Sequence, residues 1–273
     1  MRQATAPRLE RSCTDWMRLA PACAGLERIE AFFSGIGFDP HRHDTYAIGT
    51  TLAGVQAFRY RGAARRSLPG QVFVLHPDET HDGQAGTPEC FRYRILYVEP
   101  HLIGAALGGP LPFWRDAVGE NARLAAAIMP ALEDLDAPLE ELQRDAIVLD
   151  LAEALAAADT SMPRRAPGAR DDRAVRIARE FLDAHERTTS AELEAATGLT
   201  RYALARHFRR SLGTSPYRYL LMRRLDRARA LIRGGVPLAD AALRAGFADQ
   251  SHMTRQFKRT YGLSPGRFAA LAA

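Results

Sequence analysis

Between residues 30 and 100 the apolar positions come in short runs cut by glycine and proline, as in TYAIGTTLAGVQAFRYRG and GQVFVLHPDETHDG, which are rich in Val, Thr, Tyr and Phe. FRYRILYVEP adds a run in which apolar residues alternate with basic or apolar ones. Such spacing between turn residues predicts strands, and several short strands in succession predict an antiparallel sandwich or small barrel. The period then changes. Residues 119–158, with ENARLAAAIMPALEDL and LEELQRDAIVLDLAEALAAAD, are rich in Ala and Leu at a spacing near 3.6, which predicts helices. Leu139, Leu142, Ile147, Leu151 and Leu155 supply an apolar seam, for packing within that domain or, as the alternative, for a dimer interface. DTSMPRRAPGARDD, from Asp159 to Asp172, has no apolar period and reads as a linker. The expected organisation is two domains: a mainly β domain with a helical appendage over residues 1–158, a linker over 159–172, and an all-α domain over 173–273.

One pattern occurs twice in the all-α part, as GLTRYALARHFRRSLGTSP (198–216) and GFADQSHMTRQFKRTYGLSP (246–265). At an offset of 49, Arg206 matches Arg255, Phe208 matches Phe257, Arg209 and Arg210 match Lys258 and Arg259, Gly213 matches Gly262, and Tyr219 matches Phe268. Upstream the offset is 48, pairing Gly198 with Gly246, so the pattern is an internal duplication. Each copy predicts helix, tight turn, helix. In the first, Thr189 and Glu192 form a capping box, Gly198 permits the turn and Thr200 caps the next helix. Leu204 and Phe208 share its packed face, leaving Tyr202, Arg206 and Arg209 on the outward one. In the second, Asp249 caps, Met253 and Phe257 pack, and Ser251, Arg255 and Lys258 point away. Ser215 as cap and Pro216 at the first helical position then start a helix that runs to Ile232, ended by Gly234-Gly235. At roughly 26 Å it is long enough to hold two outward helices about one DNA turn apart, ~34 Å.

Charge divides the same way. The net charge of +5 combines an excess of basic residues from Asp171 onward, 19 Lys and Arg against 10 Asp and Glu, with an acidic remainder of 18 against 22. A basic C-terminal third suggests a polyanion partner. No stretch approaches the ~18 apolar residues of a membrane span, and the N-terminus MRQATAPRLERSCTDWMRLA is charged where a secretory signal needs its apolar core, so a cytoplasmic protein without a membrane partner is expected. Cys13, Cys23 and Cys90 form no C-x-x-C pair, which points to free thiols rather than disulfides or structural zinc.

With these residues in place, GFADQSHMTRQFKRTYGLSPGRF closely resembles the C-terminal signature of AraC/XylS-type transcription regulators, over about residues 172–269. The resemblance implies two helix-turn-helix units joined by a long helix. It further implies that Tyr202 and Arg206 in the first unit, and Gln250, Ser251 and Arg255 in the second, face bases of double-stranded DNA. Ala205 falls on the same face, and its lack of a hydrogen-bonding group suggests looser readout there. Arg209, Arg210, Lys258 and Arg259 are candidate phosphate contacts, giving affinity without sequence choice.

GFDPHRHDTYAIGTTLAG and PGQVFVLHPDETHDG resemble the two segments of the cupin barrel found in the effector domain of the same regulators. In metal-binding cupins these segments supply three His and an acid, suited to a divalent metal such as Fe, Mn, Ni or Zn. This chain offers His41 and His43, which two-residue strand spacing would put on one side, and His81. The acid is missing, since Thr45, Tyr46, Ala47 and Ile48 follow where it should stand, and Glu79 is the candidate substitute. The other reading is an effector pocket lined by His41, His43, Tyr46, His81 and Arg94, with the Arg94 guanidinium gripping an anionic group of a small molecule. The expected protein is not an enzyme and has no cofactor. It is a regulator that binds a promoter, contacts RNA polymerase, responds to a small-molecule effector and pairs as a homodimer. The alternatives are a metal-responsive regulator or a metal-dependent cupin enzyme fused to a DNA-binding domain.

Overall fold

The structure, a computed structural model, describes residues 15–161, 171–261 and 264–272; Gly262, Cys13 and most of the expected linker lie outside these. The chain forms two compact units, residues 1–139 with 147–165 and residues 140–146 with 166–273.

The first unit is two antiparallel sheets face to face. Strands β1 (Trp16–Leu19), β2 (Leu26–Phe33), β4 (Tyr46–Ala53), β7 (Val72–Leu75), β9 (Phe91–Val98) and β10 (Val118–Gly119) make one sheet, in the order β1-β2-β9-β4-β7-β10. Strands β3 (Ile36–His41), β5 (Gln56–Tyr60), β6 (Ala63–Ser67) and β8 (His81–Ala85) make the other, in the order β3-β8-β5-β6. Alternation along each strand decides what faces inward. Ile29 and Ala31 of β2, Phe58 and Tyr60 of β5, Phe73 of β7, and Phe91, Tyr93 and Ile95 of β9 form one buried cluster. The sequence pattern predicts this β architecture. It does not predict helix α1 (Pro100–Leu107), which follows β9 directly and ends at Gly108 in the left-handed region. Helix α2 (Ala122–Leu132), capped by Asn121, carries Pro130 in its last turn. Helix α3 (Glu141–Ala158) is continuous, with Ile147, Leu151 and Leu155 of the expected seam buried in the first unit. Its opening residues, including Leu142, belong instead to the second unit.

The second unit is built from short helices whose ends were written locally. Helix α4 (Asp172–Ala184) is capped by the Asp171 side chain. Helix α5 (Ser190–Thr197) starts with the Thr189–Glu192 capping box and ends at Gly198, φ 71°. Thr200 caps α6 (Arg201–Leu212), which ends at Gly213, φ 70°. Ser215 caps α7 (Pro216–Arg233), one residue longer than the pattern predicts. Helices α8 (Leu238–Arg244), α9 (Gln250–Tyr261) and α10 (Pro265–Ala272) complete the second copy. The duplication extends to packing: Phe208 meets Tyr219 edge-on at 5.6 Å, and Phe257 meets Phe268 at 5.5 Å. Arg224 is 3 % exposed in the middle of this core, where it donates to the Glu186 carbonyl at 2.7 Å.

Candidate functional site

Helices α6 and α9 are the second helices of the two copies of the duplicated pattern, and their faces differ. On α9, Met253 and Phe257 are fully buried, while Gln250, Ser251, Arg255, Lys258 and Arg259 are exposed. The backbone N–H of His252 donates to the Asp249 carboxylate at 2.6 Å, so Asp249 caps the helix and fixes its start. On α6, Leu204 and Phe208 are buried, Arg206 and Arg209 are half-buried and Arg210 is exposed. Tyr202 and Ala205 depart from expectation: they are 5 % and 6 % exposed instead of outward. The reason is long-range. Leu142, Asp145 and Ala146 line a small cavity together with Arg201, Leu204 and Ala205, so the first turns of α3 lie against α6. Burial, then the Asp145 carboxylate, pushes the Tyr202 phenol up to about 12.

In the first unit the expected pocket residues separate into two groups. Tyr46 and Arg94 lie on the outer side of the six-stranded sheet, because the inward positions of β4 and β9 are Ala47 and Tyr93, Ile95. The Tyr46 hydroxyl donates to the Pro112 carbonyl at 2.9 Å. The Arg94 guanidinium has partners within the protein. It donates to the Glu30 carboxylate at 3.0 Å and to the Leu132 and Glu133 carbonyls, at 2.7 and 3.1 Å, where α2 ends. Glu30 is fully buried and also pairs with Arg18 and Arg92. Burial alone would raise this carboxyl, but hydrogen bonds from Arg92 and Arg94 outweigh it and hold it below the usual carboxylate range.

The three histidines do converge. His41 and His81 are cross-strand partners, with ring centroids 4.4 Å apart, and His43 lies 4.8 Å from His81 and 6.2 Å from His41. His43 arrives by another route than strand spacing: β3 ends at His41, and His43 sits in the turn that follows. The Nδ1 atoms of His41, His43 and His81 lie 2.8, 2.9 and 2.9 Å from the carbonyls of Asp39, Thr45 and Glu79. A carbonyl only accepts, so each neutral ring carries its proton on Nδ1 and keeps an acceptor lone pair on Nε2. The Nε2 of His43 is buried without a hydrogen-bond partner. Burial lowers His43, and burial with the neighbouring imidazoles holds His81 at about 4, so both are neutral at pH 7. Glu79 does not complete a metal site, because its carboxylate pairs with Arg61 at 3.3 Å. Among the described residues, no group of three or more His, Cys, Asp or Glu is placed to hold a metal ion.

Two neighbours escape a reading of motifs. Tyr97 stands edge-on to His43 at 5.2 Å, and alternation in FRYRILYV with Tyr93 inward was the available signal. His76 accepts from the Trp114 N–H at 3.0 Å and shares the Tyr60 hydroxyl, 3.0 Å from its Nδ1, with Arg61. Nothing local marks His76 as buried.

Among the described residues, no helix is long and apolar enough to cross a membrane. The model of the AraC-like ligand binding domain family matches residues 24–152, and that of a helix-turn-helix domain matches residues 193–270. An uncharacterized HTH-type transcriptional regulator of Bacillus subtilis, YbfI, is 31 % identical over 237 residues, covering 82 % of this chain and 86 % of that protein. The transcriptional activator RhaS of Shigella flexneri is 23 % identical over 261 residues, covering 90 % and 92 %. A solved structure of a probable AraC family regulator from Rhodopseudomonas palustris is 30 % identical over 37 % of this chain and 97 % of that one, with a TM-score of 0.34. The likeness to YbfI spans both units, and the two family matches place a ligand-binding domain ahead of a helix-turn-helix one: this chain belongs to the AraC family of helix-turn-helix transcription regulators.

Proposed function

We propose that the chain binds promoter DNA in two successive major grooves, through α9 and α6, and that a small molecule held among His41, His43 and His81 controls this binding. The observation that carries the proposal is the exposed face of α9, where Gln250, Ser251 and Arg255 stand together over a fully buried Met253 and Phe257. Gln and Arg are side chains that read base edges in pairs of hydrogen bonds. Lys258 and Arg259 flank them, and Arg209 and Arg210 hold the matching places on α6, where phosphates would take them. Tyr202, Ala205 and Arg206 are the corresponding base-facing set of the first unit. Such a protein works where the DNA is, in the cytoplasm, touching RNA polymerase, and two copies on one promoter would gain from raised effective concentration.

The effector class follows from the chemistry of the histidine cluster. The neutral imidazoles of His43 and His81, presenting Nε2 acceptors, suit a ligand with hydroxyl or amino donors; a divalent metal is the second reading, for which the Nδ1 hydrogen bonds speak and against which the lack of a ready three-ligand group among the described residues counts. Metal content of protein purified without an affinity tag separates the two: about one equivalent supports metal, and none leaves the organic ligand. Footprinting on fragments of the native genome tests the DNA reading, with protection expected in two grooves about one turn apart. Arg255→Ala should cost about 1–3 kcal/mol on the selected site. Equal loss on random DNA would show that Arg255 reads no base.

A further inference from the structure

We infer that residues 140–146 are an internal mask of the first reading helix, an acidic segment held where DNA has to dock. The inference rests on the DNA-binding reading and says what regulates it. Its starting point is that matched positions of the two copies differ: Ser251 is exposed and Thr254 half-buried, whereas their counterparts Tyr202 and Ala205 are buried. Beside them stand residues from outside the duplicated pattern: Leu142 and Ala146 line a cavity with Ala205, and the Asp145 carboxylate acts on the Tyr202 phenol. Leu142 is 7 % exposed, in the same apolar cluster as Leu204 and Phe208, with Ala146 packed against it.

Within the segment Arg144 pairs with Asp145 at 2.8 Å; the contacts that the segment makes outside itself are anionic and are answered by cationic groups and backbone donors. Glu140 holds the Arg224 Nη1 with both oxygens, each at 2.7 Å, and lies 4.0 Å from His252 of α9. Glu141 accepts from the backbone N–H of Ser190 at 3.2 Å, at the start of α5, and stands 3.6 Å from Arg201. Asp145, 5 % exposed, accepts from the Ser190 hydroxyl and from Arg201 at 3.2 Å. Arg201 is held on its other side by Glu194 at 3.2 Å. Three carboxylates thus meet two guanidiniums and a helix N-terminus, which is how a helix-turn-helix module meets a nucleic-acid backbone. A duplex cannot reach Ala205 while Leu142 and Ala146 line a cavity with it, so the first helix-turn-helix copy engages DNA fully only after the segment leaves. The mask lowers apparent affinity by the fraction of molecules in which it is open. Because α3 continues without a break from Glu141 to Ala158, the masking residues are covalently the leading turns of a helix whose remainder belongs to the ligand-binding unit.

The test uses the full chain and two isosteric variants that weaken the mask at separate points, Glu140→Gln and Asp145→Asn. Binding to labelled duplexes of random sequence, roughly 30 base pairs or three helical turns, is followed by fluorescence anisotropy, with circular dichroism confirming that each variant is folded. Both variants should bind about tenfold more tightly than the parent, as expected for a closed state favoured about ten to one. A folded variant that binds no better than the parent overturns the mask and leaves the DNA-binding reading intact. Failure of all three proteins to bind any duplex sinks both. Should Asp145→Asn fail to fold, Glu140→Gln alone decides between these outcomes, since its partner Arg224 keeps a hydrogen bond to the Glu186 carbonyl.

Discussion

Arg94 shows how a residue can have the right chemistry for a site and the wrong address. On β9 it belongs to the outward set, and the carboxylate it meets is Glu30 of the neighbouring strand. Arg94→Ala should therefore lower stability by about 1–3 kcal/mol, measured by urea unfolding, and leave affinity for any effector unchanged. Loss of effector binding in a fully stable variant would return Arg94 to the pocket. His81 makes a prediction in pH. Its imidazole titrates near 6.5 in an unfolded chain and at about 4 when folded. The unfolded form therefore binds more protons across that window, and stability present above pH 6.5 is lost as pH falls towards 4. The full loss is about 3 kcal/mol for this one group. In His81→Gln the melting temperature should fall less steeply over the same window. An unchanged slope would mean that His81 is already protonated when folded. Neither Arg94's partner nor the burial of His81 could be read from the motif alone, because strand pairing over sixty residues decides the first and sheet packing the second.

Elements are where the sequence was most legible. Caps and turns depend on residues within one turn of each other, so Thr189, Thr200, Ser215 and Asp249 stand at their helix starts and Gly198 and Gly213 at their ends, as their patterns predict. Strands were legible as strands, but His43 reaches its cluster through a turn, which period-two counting does not see. Tyr202 and Ala205 were expected on the outward face of α6 and are buried instead; Ala205 stands three residues from Phe208, near the packed face, and the Leu142 and Ala146 that line a cavity with it come from about sixty residues upstream. The two turn glycines allow a comparison. Gly198 has φ +71° and open space around a would-be Cβ, whereas at Gly246, φ +87°, a Cβ would come within 2.8 Å of the Glu186 Cβ and carbonyl oxygen. Gly198→Ala should cost about 1–2 kcal/mol through the left-handed backbone alone, and Gly246→Ala distinctly more, since backbone of Glu186 has to shift as well. Equal losses in denaturant melts would show that the Glu186 loop gives way freely.

Across the whole molecule, almost all positive charge is guanidinium, which stays ionised at any pH at which the protein folds. DNA affinity should therefore respond steeply to salt and little to alkaline pH. A plot of log affinity against log salt concentration should lose about one unit of slope in Lys258→Ala, with the ranking of sequences unchanged. A changed ranking would make Lys258 a base contact. The same scarcity has a practical side. Lys258 is the sole lysine among 273 residues, and it lies on the exposed edge of α9. An acylating dye thus has one ε-amine to find, at the very surface a duplex would cover, so the native chain comes with its own attachment point for an optical probe of docking.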